Sequence, residues 1–181
     1  MLIAIFASRE TQRRYAVKLS RYIDTVGGNK MLVLWYKDLG HVIFWFKAIF
    51  SQAPKILSQS VELLILEKQN SPKWKDSSTL YWTVFKSIKT YESRYLYFVY
   101  ADALKKNKVD QLVIWNGLKF RQKVVTIAAK ELNIPCHFIE RGAFPETTTL
   151  DSQGINYINS VPRDPGFYTK RHLQPAAVGR H

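Results

Sequence analysis

The sequence predicts an α/β fold, a Rossmann-like parallel sheet flanked by helices. Two observations carry this. A strand–helix–strand pattern opens the chain, and a second one stands between residues 111 and 140. A third supports it: the strand runs are continuous in apolar residues rather than alternating, as expected where both faces of a sheet are covered. Leu2 to Phe6 is the first such run. Ser8 is the predicted cap of the helix that follows, where Tyr15, Leu19, Tyr22 and Ile23 recur at helical spacing between residues 9 and 24. Gly27-Gly28-Asn29 ends that helix and residues 31–35 form the second strand. No Gly-x-Gly-x-x-Gly follows the first strand, so a dinucleotide fingerprint is absent there.

The middle of the chain reads as helical. Residues 41–52 are rich in aromatics, and Pro54 suits the first turn of a helix reaching about residue 68. Gln69-Asn70-Ser71-Pro72 breaks it. Asp76, Ser77 or Ser78 can cap a long helix over 79–107, whose aromatics are expected in the core. The second unit is a strand over 111–115, a tight turn at Asn116-Gly117, a helix over 119–132 and a strand over 136–140. Residues 147–156 read as a short hairpin or looped strand, and 159–168 as a particular, polar, turn-forming loop. Residues 1–170 are expected to form one domain and 171–181 a flexible tail.

Composition excludes several classes. The 27 Lys and Arg against 14 Asp and Glu give a charge of +13, which calls for an anionic partner. With 46% hydrophobic and 14% aromatic residues the chain is no disordered basic tail. One cysteine, Cys136, and four scattered histidines offer neither a disulfide scaffold nor metal-ligand spacing. The apolar N-terminus precedes Arg9, Arg13 and Arg14, the reverse of a signal peptide. Residues 42–50 fall far short of the roughly 20 needed to span a bilayer. A soluble or peripheral cytoplasmic protein is expected. Nucleic acid is the disfavoured partner, since no zinc finger, RNP motif or Gly-x-x-Gly clamp accompanies the basic residues.

Parallel strands bring their carboxyl ends to one edge, where ligands bind. Ser8 and Arg9, Asn116 and Gly117, and Glu140, Arg141 and Gly142 should therefore converge. Glu140 reads either as a nucleophile or base tuned by Arg141, with Gly142 admitting a substrate, or as a surface carboxylate capping a loop. Asp151 reads either as a second catalytic carboxylate facing Glu140 across a cleft or as the first residue of an Asp-Ser-Gln-Gly turn. Arg163-Asp164 is either an anion-binding pair or a salt-bridged turn.

The order Phe138-Ile139-Glu140-Arg141-Gly142, then Thr149-Leu150-Asp151, then Gly154-Ile155-Asn156, then Asn159-Ser160-Val161-Pro162-Arg163-Asp164-Pro165-Gly166-Phe167-Tyr168 resembles the bacterial capsule polysaccharide biosynthesis family. Trp115-Asn116-Gly117 also looks like that family, and the likeness spans residues 111–168. It implies the N-terminal half of a GT-B-type glycosyltransferase, a retaining β-Kdo transferase that uses CMP-Kdo and needs no further cofactor. It places Glu140 and Asp151 at acidic active-site positions. It places Gly154, Asn156, Asn159, Ser160, Arg163 and Asp164 with the substrate-binding residues. Some relatives carry an acidic residue where this chain has Arg141. The family's nucleotide half, with its His-Pro motif, does not appear within 181 residues. A second glycosyltransferase half, an anionic glycan or glycolipid acceptor and the inner face of the membrane are the partners implied. A non-catalytic glycan-binding or scaffold module of the same fold is the alternative, and a nucleic-acid-binding domain is the third.

Overall fold

Four strands run parallel in a five-stranded sheet: β1 (Leu2–Ala7), β2 (Lys30–Trp35), β3 (Gln111–Trp115) and β4 (Cys136–Arg141). The fifth, β5 (Thr148–Asp151), is antiparallel to β4, and the order across the sheet is β2-β1-β3-β4-β5. This α/β, Rossmann-like architecture is the expected one. The computed structural model describes residues 1–35, 37, 39–74, 76–142, 147–155, 159–161 and 164.

Helix α1 (Glu10–Val26) connects β1 to β2 and packs on both. The predicted cap differs. Arg9 is the N-cap residue and makes no capping hydrogen bond. Ser8 instead donates its backbone N–H and its hydroxyl to Gln12 Oε1, each at 3.0 Å, so Ser8 belongs to the strand's exit rather than to the helix. The long return from β2 to β3 passes through α2 (Ile43–Phe50), α3 (Lys55–Gln69), a 3-10 turn at Pro72–Trp74 and α4 (Thr79–Lys106). Ser78 caps α4, accepting from Tyr81 N–H at 3.2 Å, as the sequence allowed. Helix α5 (Phe120–Glu131) joins β3 to β4.

The core lies between the sheet and the face carrying α4 and α5. Ala4, Phe6, Leu112 and Ile114 of the central strands meet Leu96, Val99, Tyr100 and Leu104 of α4 and Val124, Val125 and Ala128 of α5. Phe6 and Tyr100 touch edge to face at 5.1 Å. Every buried residue of α4 lies in its C-terminal half, from Ser93 to Leu104. Twenty-eight residues make a helix of about 42 Å, against about 20 Å for a six-residue strand. The N-terminal half of α4 therefore overhangs the carboxyl edge of the sheet. Helices α2 and α3 both pack on α4 and thicken this overhang. Among the described residues no helix is long and apolar enough to cross a membrane.

Cys136 opens β4 half-buried, with its thiol directed at the Ile134 carbonyl at 3.6 Å. Burial pushes the thiol up to about 11, against a smaller downward pull from Lys130. The thiolate is the reactive species. Alkylation by iodoacetamide at pH 8 is therefore expected to be at least about tenfold slower in the native chain than in urea, as mass spectrometry would read. Equal rates would contradict the packing of β4.

Candidate functional site at the carboxyl edge of the sheet

Because β1, β3 and β4 are parallel and in register, their exits line up. Ser8 and Arg9 follow β1, Asn116 and Gly117 follow β3, and Glu140 stands one residue before the end of β4. Helix α1 and helices α4 and α5 leave this edge on different sides of the sheet. The gap between β1 and β3 is thus a topological switch point, the place where open α/β sheets form a crevice.

The turn after β3 is built to hold a carboxylate. Asn116 and Gly117 both have left-handed backbones, with φ of 68° and 76°. Asn tolerates this conformation and Gly adopts it freely. A Cβ at Gly117 would stand 2.5 Å from Phe138 Cδ1, so the turn lies directly against a core ring. Asn116 N–H donates to the Ile139 carbonyl at 2.9 Å, tying the turn to β4. Its side-chain oxygen accepts from Leu118 N–H at 3.2 Å. That fixes the amide so that Nδ2 donates to Glu140 Oε1 at 2.9 Å. Glu140 Oε2 has no hydrogen-bond partner among the described residues. Arg141, next along the strand, projects to the opposite face and is exposed. No ion pair joins it to Glu140 among the described residues, so the neighbour in sequence is not the neighbour in space.

Gly142 makes a close approach, but to the chain itself. Its N–H donates to the Thr147 carbonyl at 2.8 Å, and a Cβ there would run into Thr147 Oγ1. Asp151 lies opposite Phe138 in the β4–β5 ladder, and Glu140 opposite Thr149. The two carboxylates are therefore diagonal neighbours on one face of the sheet, rather than facing residues across a cleft. Asp151 is also heavily engaged. Oδ1 accepts from Gln153 and Gly154 N–H at 2.7 and 3.0 Å, and Oδ2 from Ser160 N–H and hydroxyl at 2.9 and 2.5 Å. These bonds, the Ser160 hydroxyl first, hold its carboxyl well below the usual carboxylate range. Asp151 is the knot of this loop: it gathers Gly154, which is buried, and Ser160 beside Asn159. Asp164 is exposed, and Asn156 and Arg163 lie outside the described residues, as do 165–181.

The overhang turns the edge into a cleft of about 710 Å³. Its floor is Ser8 and Arg9 with residues 118–121 and Lys123 at the start of α5, and its far wall is Glu67, Lys68, Ser71, Trp74, Lys89 and Glu92. Cations outnumber carboxylates six to two along this lining. Glu92 takes Lys89 at 2.5 Å and Arg121 at 3.8 Å, and Glu67 takes Lys123 at 3.6 Å. Lys68 stands 5.2 Å from the centre of the Trp74 ring. Lys119, Arg121 and Lys123 crowd the positive end of the α5 dipole, where acidic residues are favoured. They were not singled out from the sequence. Their sign at a helix start was the signal that could have singled them out.

Two comparisons with known proteins bear on this site. Residues 110–181 match the family described as capsule polysaccharide biosynthesis protein. A stretch of 61 residues is 43% identical to Protein FixF of Sinorhizobium fredii (strain NBRC 101917 / NGR234), covering 33% of this chain and 15% of that protein. The chain thus spans a small part of the curated relative's length. The family match contains β3, α5, β4 and β5, and with them Asn116, Glu140 and Asp151.

Two substitutions test this geometry. Gly117→Ala is expected to cost about 2 kcal/mol or more in urea unfolding, because strain and collision add. Gly28→Ala, equally left-handed at φ 84° but with open space around it, should cost only about 1 kcal/mol. For Asp151, the lowered carboxyl lends stability in full above the ordinary Asp value near 4 and loses it as the pH falls further. Asp151→Asn should therefore be the less stable protein at pH 7, and the gap to wild type should close on acidification. A gap that is constant with pH would show that charge is not what holds the loop.

Proposed function

We propose that this chain is the acceptor-side, catalytic-edge domain of a retaining glycosyltransferase that moves Kdo from CMP-Kdo to a lipid-linked or capsular glycan. The observation that carries the reading is the Asn116–Glu140 hydrogen bond across the ends of β3 and β4, inside the segment that matches the capsule polysaccharide biosynthesis family.

The chemistry follows from which oxygens are free. Retention by double displacement needs a carboxylate oxygen able to reach the anomeric carbon. Asp151 has donors on both oxygens and is the weaker nucleophile, whereas Glu140 keeps Oε2 unengaged among the described residues. Glu140 Oε2 attacks the anomeric carbon as the bond to the CMP phosphate breaks, and CMP leaves. The acceptor hydroxyl then attacks the anomeric carbon, its proton passing to solvent; Glu140 leaves as the regenerated carboxylate and the configuration is restored. Asn116 holds the nucleophile in place through Oε1 and withdraws charge from the ester as it forms. In this reading the basic cleft, which Ser8, Arg9 and residues 118–121 line at the same edge of the sheet, supplies counter-charge for a donor that carries both a carboxylate and a phosphate. In this reading the nucleotide-binding part belongs to a second half.

The test is intact-protein mass spectrometry after incubation with CMP-Kdo and a lipid-linked acceptor, on the enzyme with both halves present. A Kdo adduct is expected on the wild type. In Glu140→Gln both adduct and transfer should fall by at least about a thousandfold with the fold intact. Turnover at the wild-type rate by that variant would end the assignment. Asp151→Asn should transfer Kdo at a rate within about tenfold of wild type at a temperature where it stays folded.

A further inference from the structure

Helix α2 is apolar on nearly every side, yet only Phe44 and Ala48 are buried. Ile43, Trp45, Phe46, Ile49 and Phe50 are all more than half exposed, Phe50 at 80%. A helix of this composition ordinarily sits in a core. The exposed surface continues onto α4. Trp45 rests on Tyr91 and Tyr95, with ring centres at 5.7 and 5.2 Å, and Tyr91 donates to the Trp45 carbonyl at 3.2 Å. One and two turns further back on that stripe of α4 come Ile88 and Val84, both exposed. The result is one contiguous apolar face on the outer wall of the overhang, larger than scattered surface residues account for.

The charges around this face select its occupant. From Leu39 to Val61 the chain has no carboxylate but carries Lys47 and Lys55, both exposed, and Lys37 stands just before. The whole molecule is at +13. A second copy seated here would bring these lysines against their own equivalents, which is unfavourable. An anionic lipid surface satisfies both features: aromatics and isoleucines enter the headgroup–acyl boundary while lysines pair with lipid phosphates. Arg94 supports the rigidity this needs, donating to the Ser51 carbonyl at 2.5 Å and to Ile49 O at 3.4 Å, so it clamps the end of α2.

We propose that α2, with the adjoining Val84–Ile88 stripe of α4, is a membrane-docking surface for anionic bilayers. The cleft draws Lys89 and Glu92 from α4, residues outside the Val84–Ile88–Tyr91 stripe that continues the α2 face. The inference stands on exposure and charge and does not depend on the glycosyl-transfer reading.

The test is co-sedimentation of the 181-residue chain with vesicles of phosphatidylcholine and phosphatidylglycerol, against phosphatidylcholine alone. Binding should require the anionic lipid and weaken as salt rises. Phe46→Glu with Phe50→Glu should weaken binding by at least about tenfold, and Ile49→Ser by less. Circular dichroism verifies the fold, which exposed positions should preserve. Lys105→Glu with Lys106→Glu, at the far end of α4, should bind within about twofold of wild type. Equal loss in that control would reduce the interaction to diffuse charge and overturn the proposal. So would absence of binding, equal binding to neutral vesicles, or an oligomer in solution that Phe46→Glu dissolves.

Discussion

Parallel pairing on both sides of β1 is the constraint from which the site descends. Ile3 to Phe6 are paired to β2 on one side and to β3 on the other, so three strand exits are forced onto one edge. The chain must then leave β1 and β3 toward opposite faces, and a crevice opens between the two departures. Nothing in Ser8, Arg9, Asn116 or Glu140 would bring these residues together without that register. The buried apolar strands supply it, since a slip by one residue would turn Ala4 and Phe6 out of the core.

Electrostatics adds a tension that the fold tolerates. Cations gather at the start of α5, against its dipole, and two glutamates from α3 and α4 offset part of that charge. Neither glutamate comes from α5 itself. The overhang therefore does two things: it walls the cleft and it brings counter-charges to a helix that has no acid in its own first turn. Local preference and global arrangement disagree here, and such disagreements concentrate where a protein handles ligands.

Most of the scaffold was legible because it is written in local patterns. Continuous apolar runs marked β1 and β3, and Asn116-Gly117 marked a turn whose left-handed backbone the structure bears out. Residue type narrowed the cap of α4 to Asp76, Ser77 or Ser78, and the structure selects Ser78. What escaped depends on contacts across long sequence distances. Ser8 looked like a cap, but the helix starts one residue later and Ser8 donates to Gln12 instead of accepting from the helix. The cleft unites residues from four separate stretches between 8 and 123, and no spacing rule links Lys68 with Arg121. Asp151 could be read two ways because a turn-former and a catalytic acid use the same side chain. Its four accepted hydrogen bonds reveal a structural duty that leaves little of it for chemistry.

The contact between Gly117 and the Phe138 ring gives the two walls of the cleft unequal stiffness. The Asn116-Gly117 turn, just before the floor residues 118–121, is packed against a core side chain and tied to β4 by its backbone. Any shift of Asn116 must move the core with it. The opposite wall is held differently: the N-terminal half of α4 contributes nothing to the buried core, and Glu67 and Glu92 reach the floor through ion pairs with Lys123 and Arg121. The cleft wall can thus be redrawn by substitutions in α4 while the Asn116–Glu140 pair stays fixed by the core beneath it. The fold separates the part that must be accurate from the part that is free to diversify.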